Sequence, residues 1–306
     1  MIGGVVEVAE DGRHLSLYRG FLKVCDEERE LGRVPLDDVT ALVLSARQVS
    51  LSKNLITALM ERNAIIVTTG NNWHPISLTL PLEGHHGQAG ILQAQIALSE
   101  PRRKRLWQHI VRAKIGNQRT VLEWSRGEDR KIQELAVLEK RVRSGDPDNM
   151  EAQAARNYWP ALMGADFRRD TDGSGINALL NYGYAILRAA TARAVVSAGL
   201  NPALGLHHKS KVNSFALTDD LMEPYRPLVD HTVRQLVTQT GTAPEVTPDI
   251  KKTLVAILQK DLASDRGVSP LINSLHRSAQ SLALCLRDKN ENLCLSDLSM
   301  SGPLFQ

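Results

Sequence analysis

The sequence predicts an α+β protein, with an N-terminal β-sheet domain followed by an all-helical C-terminal domain. Short apolar or alternating runs separated by turn residues fill the first 80 residues, which is typical of β-strands. From residue 91 onward the apolar residues recur at helical spacing. A length of 306 residues suits two domains, and a hydrophobic content of 42% is enough for a sizeable core.

The N-terminal domain is predicted at residues 1–82. The patterns indicate strands at 5–8, 15–17, 21–24, 39–44 and 64–69, and an edge strand at 75–81. A single helix is expected at 51–62, with Ser50 as its cap and Asn63 at its end. Residues 83–90 carry three glycines in eight positions without periodicity, which predicts a linker.

The helical domain is predicted at residues 91–306. A basic helix carries the stripe Leu106, Ile110 and Ala113, and another helix begins at Met150. The segment 175–198 is apolar on nearly every side, so it should be the central buried helix. Two further helices are expected at 248–262 and 270–287. Residues 288–306 have weak periodicity and are expected to form a mobile tail.

Charge is unevenly distributed along the chain. The net charge is +3, but residues 101–144 hold thirteen Lys or Arg and five acidic residues, a balance of +8, so the rest of the chain sums to −5. Such a concentration indicates a polyanionic partner, nucleic acid above all. The alternative is a solvated helix face with ion pairs between successive turns.

Other classes of function are disfavoured by what the sequence lacks. Its three cysteines are scattered without a CxxC pair, so a structural zinc site or a disulfide framework is not expected, and a reducing cytoplasm fits. No secretory leader pattern and no run of about 18 apolar residues is present, so we expect no membrane association. The patterns of P-loops and of nucleophile elbows are also missing.

Three acids and a histidine are the candidates for chemistry. His208, Asp220 and Glu223 follow one another within residues 205–227, and Glu151 lies upstream. Carboxylates and an imidazole from separate parts of a chain can hold a divalent metal that acts on a phosphodiester.

Each of these residues also has a structural interpretation. The D-x-x-E spacing is that of a capping box with Asp220 at the N-cap and Glu223 at N3, and spacing alone favours that interpretation. Glu151 in a first helical turn would simply stabilise the helix. The residues alone do not separate His207 from His208 as the candidate ligand.

Several long blocks of the sequence resemble one known family. They are EAQAARNYWPAL, then NALLNYGYAILRAATARAVVSAGLNPALGLHH, then SFALTDDLMEPYRPLVD, with a weaker block KIGNQRTVLEW at 114–124. Together they resemble the CRISPR-associated integrase/endonuclease, the enzyme of spacer acquisition, over most of residues 105–240. The short length and the wording DDLMEPYRPLVD are similar to the type II branch.

The resemblance implies a homodimer formed through the N-terminal β-rich domain, and a complex with the small second CRISPR-associated adaptation protein. It implies that Glu151, His208 and Glu223 bind Mg²⁺ or Mn²⁺, with Asp220 as a further catalytic acid beside the metal. Many relatives have Asp where this chain has Glu223, and many have an apolar residue where it has His207.

The activity implied is metal-dependent cleavage and joining of double-stranded DNA. The 3′-hydroxyl ends of a spacer precursor would attack phosphodiesters at the boundaries of a CRISPR repeat. Basic residues near the site in sequence are expected to contact the DNA backbone: Lys209, Lys211, Arg168 and Arg169. The alternatives are a non-catalytic DNA-binding scaffold and a branched-DNA repair nuclease.

Overall fold

A computed structural model of the chain describes residues 4–27, 29–70, 75–81, 87–125, 128–208, 212–264, 267–288 and 292–301. The chain divides into two compact units, Met1–His86 and Gly87–Gln306. The strands are β1 Gly4–Val8, β2 Arg13–Tyr18, β3 Phe21–Asp26, β4 Arg29–Pro35, β5 Val39–Leu44, β6 Val49–Leu51, β7 Ile65–Thr69, β8 Pro75–Thr79, β9 Asp261–Ser264 and β10 Gly267–Pro270. The helices are α1 Lys53–Glu61, α2 Gln88–Ile96, α3 Glu100–Trp124, α4 Asp129–Arg141, α5 Met150–Met163, α6 Ile176–Ser197, α7 Ala216–Met222, α8 Arg226–Thr240, α9 Pro248–Ala256 and α10 Leu271–Arg287.

The N-terminal unit contains two four-stranded sheets. One has the order β1-β5-β7-β8, with β1, β5 and β7 parallel and β8 antiparallel at an edge. The other has the order β4-β3-β2-β6 and is antiparallel except for the β2–β6 pair. The six predicted strands are confirmed. β4 and β6 were not predicted, because β4 is exposed along most of its length and β6 has only three residues.

The helix of the N-terminal unit packs on these strands. Leu55 and Leu59 on α1 are fully buried in one cluster with Leu15, Leu22 and Leu42 from the strands. The cap of α1 is Ser52, whose hydroxyl accepts a hydrogen bond from the Leu55 amide, so the prediction of Ser50 as the cap was wrong. Ser50 lies instead in β6, where its side chain is hydrogen-bonded to His14.

The C-terminal unit is built around α6, as predicted. Gly183 on this helix permits the close approach of α8, since a Cβ there would lie 2.4 Å from Val229 Cγ1. The prediction of an all-helical domain was wrong at one place, where β9 and β10 form an antiparallel hairpin. The predicted helix 248–262 ends early, since α9 stops at Ala256, a 3₁₀ turn covers Ile257–Gln259, and Leu262 is buried in β9. Among the described residues, no helix combines the length and apolar composition that crossing a bilayer requires.

Two predicted irregular segments are more ordered than expected. Residues 88–90, assigned above to a linker, form the first turn of α2 after Gly87. The segment 292–301 is packed rather than free, with Leu298 and Ser301 buried and the Ser301 hydroxyl accepting a hydrogen bond from the Ala263 amide. Its contacts come from single buried side chains, which produce no periodic pattern.

Candidate metal centre

Glu151 stands in a first helical turn that is held by two caps. Asn149, at a φ of 53°, accepts a hydrogen bond from the amide of Ala152. The buried carboxylate of Asp146 accepts from the amides of Met150 and Glu151, at 2.8 and 3.0 Å. These bonds satisfy the free N–H groups of the helix start and place a negative charge at the positive end of its dipole. The backbone of Glu151 is therefore fixed.

Glu223 and Asp220 do not form a capping box, so that interpretation of their spacing was wrong. Asp220 lies inside α7, and Glu223 begins a 3₁₀ turn, Glu223–Tyr225, that joins α7 to α8. Pro224 and Pro227 lack the N–H groups of a continuous helix, which explains the break at this point. The turn leaves Glu223 only 5% exposed.

Asp220 orients the loop that carries His208. One oxygen, Oδ1, lies 2.5 Å from His208 Nδ1, and the other accepts hydrogen bonds from the amides of Leu206 and His207. Gly205 is required here, since a Cβ would lie 2.6 Å from the carbonyl oxygen of His208. When Nδ1–H is donated to Asp220, the lone pair of Nε2 is free to bind a metal.

The structure also separates the two neighbouring histidines. The His207 ring stacks on Trp107, with centroids 4.3 Å apart and planes inclined by 6°. The His208 ring meets the same Trp107 edge-on at 6.0 Å and contacts the Asp220 carboxylate. That hydrogen bond, followed by the nearby charges of Asp220, Glu223 and Glu151, raises the pKa of His208.

Lys114 of α3 joins the two glutamates. Its ammonium nitrogen lies 2.5 Å from Glu151 Oε1 in a hydrogen bond and 2.6 Å from Glu223 Oε2 in an ion pair. Glu223 Oε2 is buried and faces this ammonium, whereas Oε1 lies 3.0 Å from Arg226 Nε. Burial alone would raise the pKa of Glu223, but Arg226 and Lys114 outweigh it and leave the pKa lowered. Both glutamates therefore direct an oxygen at one cation.

The donor set fits a divalent metal, although the carboxylates are turned toward the ammonium. Two carboxylates, one with the buried oxygen Oε2 of Glu223, and one imidazole are ligand types that Mg²⁺ or Mn²⁺ takes, with nitrogen favouring Mn²⁺. Within the described ranges, no three His, Cys, Asp or Glu side chains stand in an arrangement that could hold a metal ion. Glu151 and Glu223 meet at Lys114 Nζ, and His208 is near enough for both to raise its pKa.

The predicted DNA-contacting residues have different positions. Lys209 and Lys211 lie outside the described residues. Arg168 is exposed and donates to the carbonyl oxygens of Ala165 and Phe167. Arg169 is held more firmly, because it donates to the side chains of Asn177 and Asn181 and lies over the Tyr184 ring.

The sequence interpretation missed Lys114 and Asn117 as parts of the site. Asn117 is buried and donates to the carbonyl oxygens of Pro224 and Ser296, while its own oxygen accepts from the Leu298 amide. The sequence does contain a signal for both residues, because they continue the apolar stripe of α3 at helical spacing. A lysine and an asparagine on a buried stripe indicate polar partners inside the fold.

A buried polar network lies behind the site. Tyr158 donates to Asp230 Oδ2 at 3.0 Å, and Tyr184 donates to Oδ1. Burial raises the pKa of Asp230 to about 7, although both hydrogen bonds act in the opposite direction. The Arg226 guanidinium stacks on the Tyr184 ring at 4.8 Å, which ties the network to the Glu223 turn.

Solved structures share this fold. "Casposase bound to integration product" matches with a TM-score of 0.81 at 20% identity, over 99% of this chain and 95% of the other. A CAS1 protein from Thermotoga maritima matches with a TM-score of 0.72 at 15% identity, over 95% and 99% of the two chains. A "Cas6-RT-Cas1--Cas2 complex" chain matches with a TM-score of 0.77 at 18% identity, over 96% of this chain and 36% of the other.

Sequence comparison goes further than the fold. The chain is 40% identical to the "CRISPR-associated endonuclease Cas1" of Neisseria meningitidis serogroup C over 281 residues, which are 92% of this chain and 91% of that relative. It is 28% identical to a "CRISPR-associated endonuclease Cas1 2" of Pyrobaculum aerophilum, over 92% of this chain and 98% of that relative. The family profile of CRISPR associated protein Cas1 matches residues 6–247. The chain therefore belongs to the Cas1 family of CRISPR-associated proteins.

Proposed function

We propose that this protein is a metal-dependent DNA endonuclease and integrase that inserts short foreign-DNA spacers into a CRISPR array. One observation carries the proposal: Glu151 and Glu223, 72 residues apart in the sequence, converge on one cation beside an Asp220-oriented His208. Family membership and the names of the relatives support the same activity. An ion-pair cluster with a purely structural role would need the shared ammonium of Lys114 but not the oriented imidazole of His208.

Each residue has a definite role in this mechanism. Glu151, Glu223 and His208 would hold Mg²⁺ or Mn²⁺, which when bound polarises a phosphoryl oxygen and lowers the pKa of an attacking hydroxyl. Asp220 keeps the proton of His208 on Nδ1, so that Nε2 remains a ligand atom. Arg226, held against Glu223 Oε1, orients that carboxylate.

The nucleophile decides between the two activities of one site. When the 3′-hydroxyl of a spacer precursor attacks a phosphodiester at the repeat boundary, the new DNA strand is joined and the old 3′-oxygen leaves. When water attacks the same phosphodiester, the result is endonuclease cleavage. The protein groups that bind and orient the reacting phosphate are the same in both reactions, so substitution of a ligand should impair both.

Double-stranded DNA, a second copy of the chain and the small Cas2-type protein are the proposed partners. One structural neighbour is described as a complex with Cas2, and another as bound to an integration product. The basic stretch 101–144 and Lys209, Lys211 and Arg168 are proposed to contact the DNA backbone. Arg169 should contribute less, because its guanidinium is already engaged by two asparagines.

The test is integration of a short duplex into a supercoiled plasmid that carries the array, with the small partner present and with Mg²⁺ or Mn²⁺. We expect Glu151→Ala, His208→Ala and Glu223→Ala each to abolish joining while the circular dichroism spectrum stays unchanged. The matched control is Glu134→Ala, which removes a surface glutamate paired with Lys131 on α4. Normal joining by any of the three site variants would reject the site.

The same assay separates the alternatives. A non-catalytic scaffold would bind DNA but would neither cut nor join a strand at any metal concentration. A branched-DNA repair nuclease would cleave branched substrates in the presence of metal but would not join free 3′ ends to the plasmid. Joining that depends on metal and on all three side chains supports only the proposed integrase.

A further inference from the structure

The charges of the two glutamates are already balanced by protein cations. Lys114 Nζ contacts one oxygen of each carboxylate, and Arg226 contacts the remaining oxygen of Glu223. Two negative and two positive charges therefore meet within a small, largely buried volume. A divalent cation placed between the same carboxylates would add two positive charges beside an ammonium only a few ångströms away, which is strongly unfavourable in a low-dielectric site.

The two protein cations differ in their freedom to leave. The guanidinium of Arg226 is held by the Tyr184 ring as well as by Glu223, so it is a fixed element of the turn. Lys114 carries its charge on a flexible four-carbon stem, and its side chain is 14% exposed rather than fully enclosed, so it is the cation that can move. Its ammonium has the position, charge and partners of a monovalent substitute for the metal.

We infer that Lys114 is a resident counter-ion of the metal site, which holds Glu151 and Glu223 together before metal binds and is displaced when a divalent cation enters. The inference rests on the proposed function, because it takes the two glutamates to be metal ligands. Metal loading and the Lys114 ion pairs are then mutually exclusive. The protein obtains a site that is assembled without metal, and its apparent metal affinity is lower than the donor set alone would give.

The experiment measures Mn²⁺ binding rather than activity. The dissociation constant of Mn²⁺ is determined by electron paramagnetic resonance of the free ion, at fixed pH and ionic strength, for the wild type and for Lys114→Met. We expect the variant to bind Mn²⁺ at least about 10-fold more tightly, since the ion no longer displaces an ammonium. Without metal, the variant should melt at a lower temperature, because Glu151 loses its ion pair with Lys114 and the buried Glu223 keeps only Arg226 as a cationic partner.

The control makes the same exchange outside the site. Lys131→Met removes a lysine paired with Glu134 on α4, and its Mn²⁺ affinity should equal that of the wild type. Lys114→Gln, which can still donate a hydrogen bond to a carboxylate, serves if the methionine variant folds poorly. Mn²⁺ affinity that is unchanged or weaker in the Lys114 variants would overturn the inference.

Failure of the underlying proposal has a different signature. Glu151→Gln and Glu223→Gln should each weaken Mn²⁺ binding in an otherwise wild-type chain. If neither does, the metal site itself is refuted, and the counter-ion role of Lys114 falls with it. If both do while Lys114→Met binds no tighter than the wild type, the site stands and only the inference about Lys114 is wrong.

Discussion

Replacement of Asn117 by leucine tests whether one buried amide connects the metal site to the C-terminal segment. Asn117 is 1% exposed, and its side chain makes three hydrogen bonds to the backbone. The amide nitrogen lies 2.6 Å from the carbonyl oxygen of Pro224 and 3.1 Å from that of Ser296, and the amide oxygen lies 2.9 Å from the nitrogen of Leu298. Leucine has a similar volume but can make none of these bonds.

The expected cost follows from the groups left behind. Each buried backbone donor or acceptor that loses its partner costs about 1–3 kcal/mol, so three of them should lower the free energy of unfolding by about 3–9 kcal/mol. Gln118→Leu is the matched control on the same helix, since Gln118 is also buried but its side-chain oxygen has no hydrogen-bond partner. Removal of an unsatisfied acceptor should be nearly neutral.

Chemical unfolding followed by tryptophan fluorescence is a suitable assay. Three of the four tryptophans, Trp107, Trp124 and Trp159, lie in the C-terminal unit, so the signal reports mainly on the part that contains Asn117. We expect a much lower midpoint for Asn117→Leu than for Gln118→Leu. If both variants lose the same unfolding free energy, any polar-to-apolar exchange on α3 has this effect. The idea that the hydrogen bonds of Asn117 hold the C-terminal segment would then be refuted.

Two further predictions concern buried carboxyl groups. In Asp220→Asn the side-chain oxygen can still accept hydrogen bonds from the Leu206 and His207 amides, so we expect a normal melting temperature. The NH₂ group, however, would donate to His208 Nδ1 and place the histidine proton on Nε2, so Mn²⁺ binding should weaken about 10- to 100-fold. Unchanged Mn²⁺ binding would contradict this role of Asp220. The pKa of Asp230 is raised to about 7 by burial, so the stability it contributes is complete below the unfolded pKa of about 4 and is lost as pH rises toward 7. Between about pH 5 and pH 8 the wild type should therefore lose about 3 kcal/mol more unfolding free energy than Asp230→Asn, and parallel stability curves would exclude this role.

Much of the fold follows from local sequence patterns. The β-branched run at β7 and the almost wholly apolar α6 could be identified because burial on both faces leaves a continuous apolar signal. β4 could not, because it is exposed along most of its length and its pairing with β3 depends on backbone hydrogen bonds that any side chain permits. The helix expected at 248–262 failed for a related reason, since periodicity does not distinguish a helix end from a short strand.

The candidate site was harder to predict than the fold. Spacing indicated a capping box for Asp220 and Glu223, whereas the structure uses the Asp220 carboxylate for the loop of His208. That contact joins residues 12 positions apart across a loop, and no local pattern encodes it. Family resemblance pointed to the three proposed ligands and to Asp220, but it gave no role to Lys114, whose partners are set by tertiary packing alone.

One face of α3 explains why separate segments of the chain meet at one point. Trp107 stacks on His207, Lys114 pairs with both glutamates, and Asn117 binds the Glu223 turn and the segment 292–301. Positions seven and three apart lie on one face of a helix, so a single rigid element contacts every segment that contributes to the site. We therefore propose two roles for the basic stretch 101–144, on two faces. Its exposed lysines and arginines remain candidates for DNA, whereas Lys114 pairs with the two proposed metal ligands, a difference that the net charge of the stretch does not reveal.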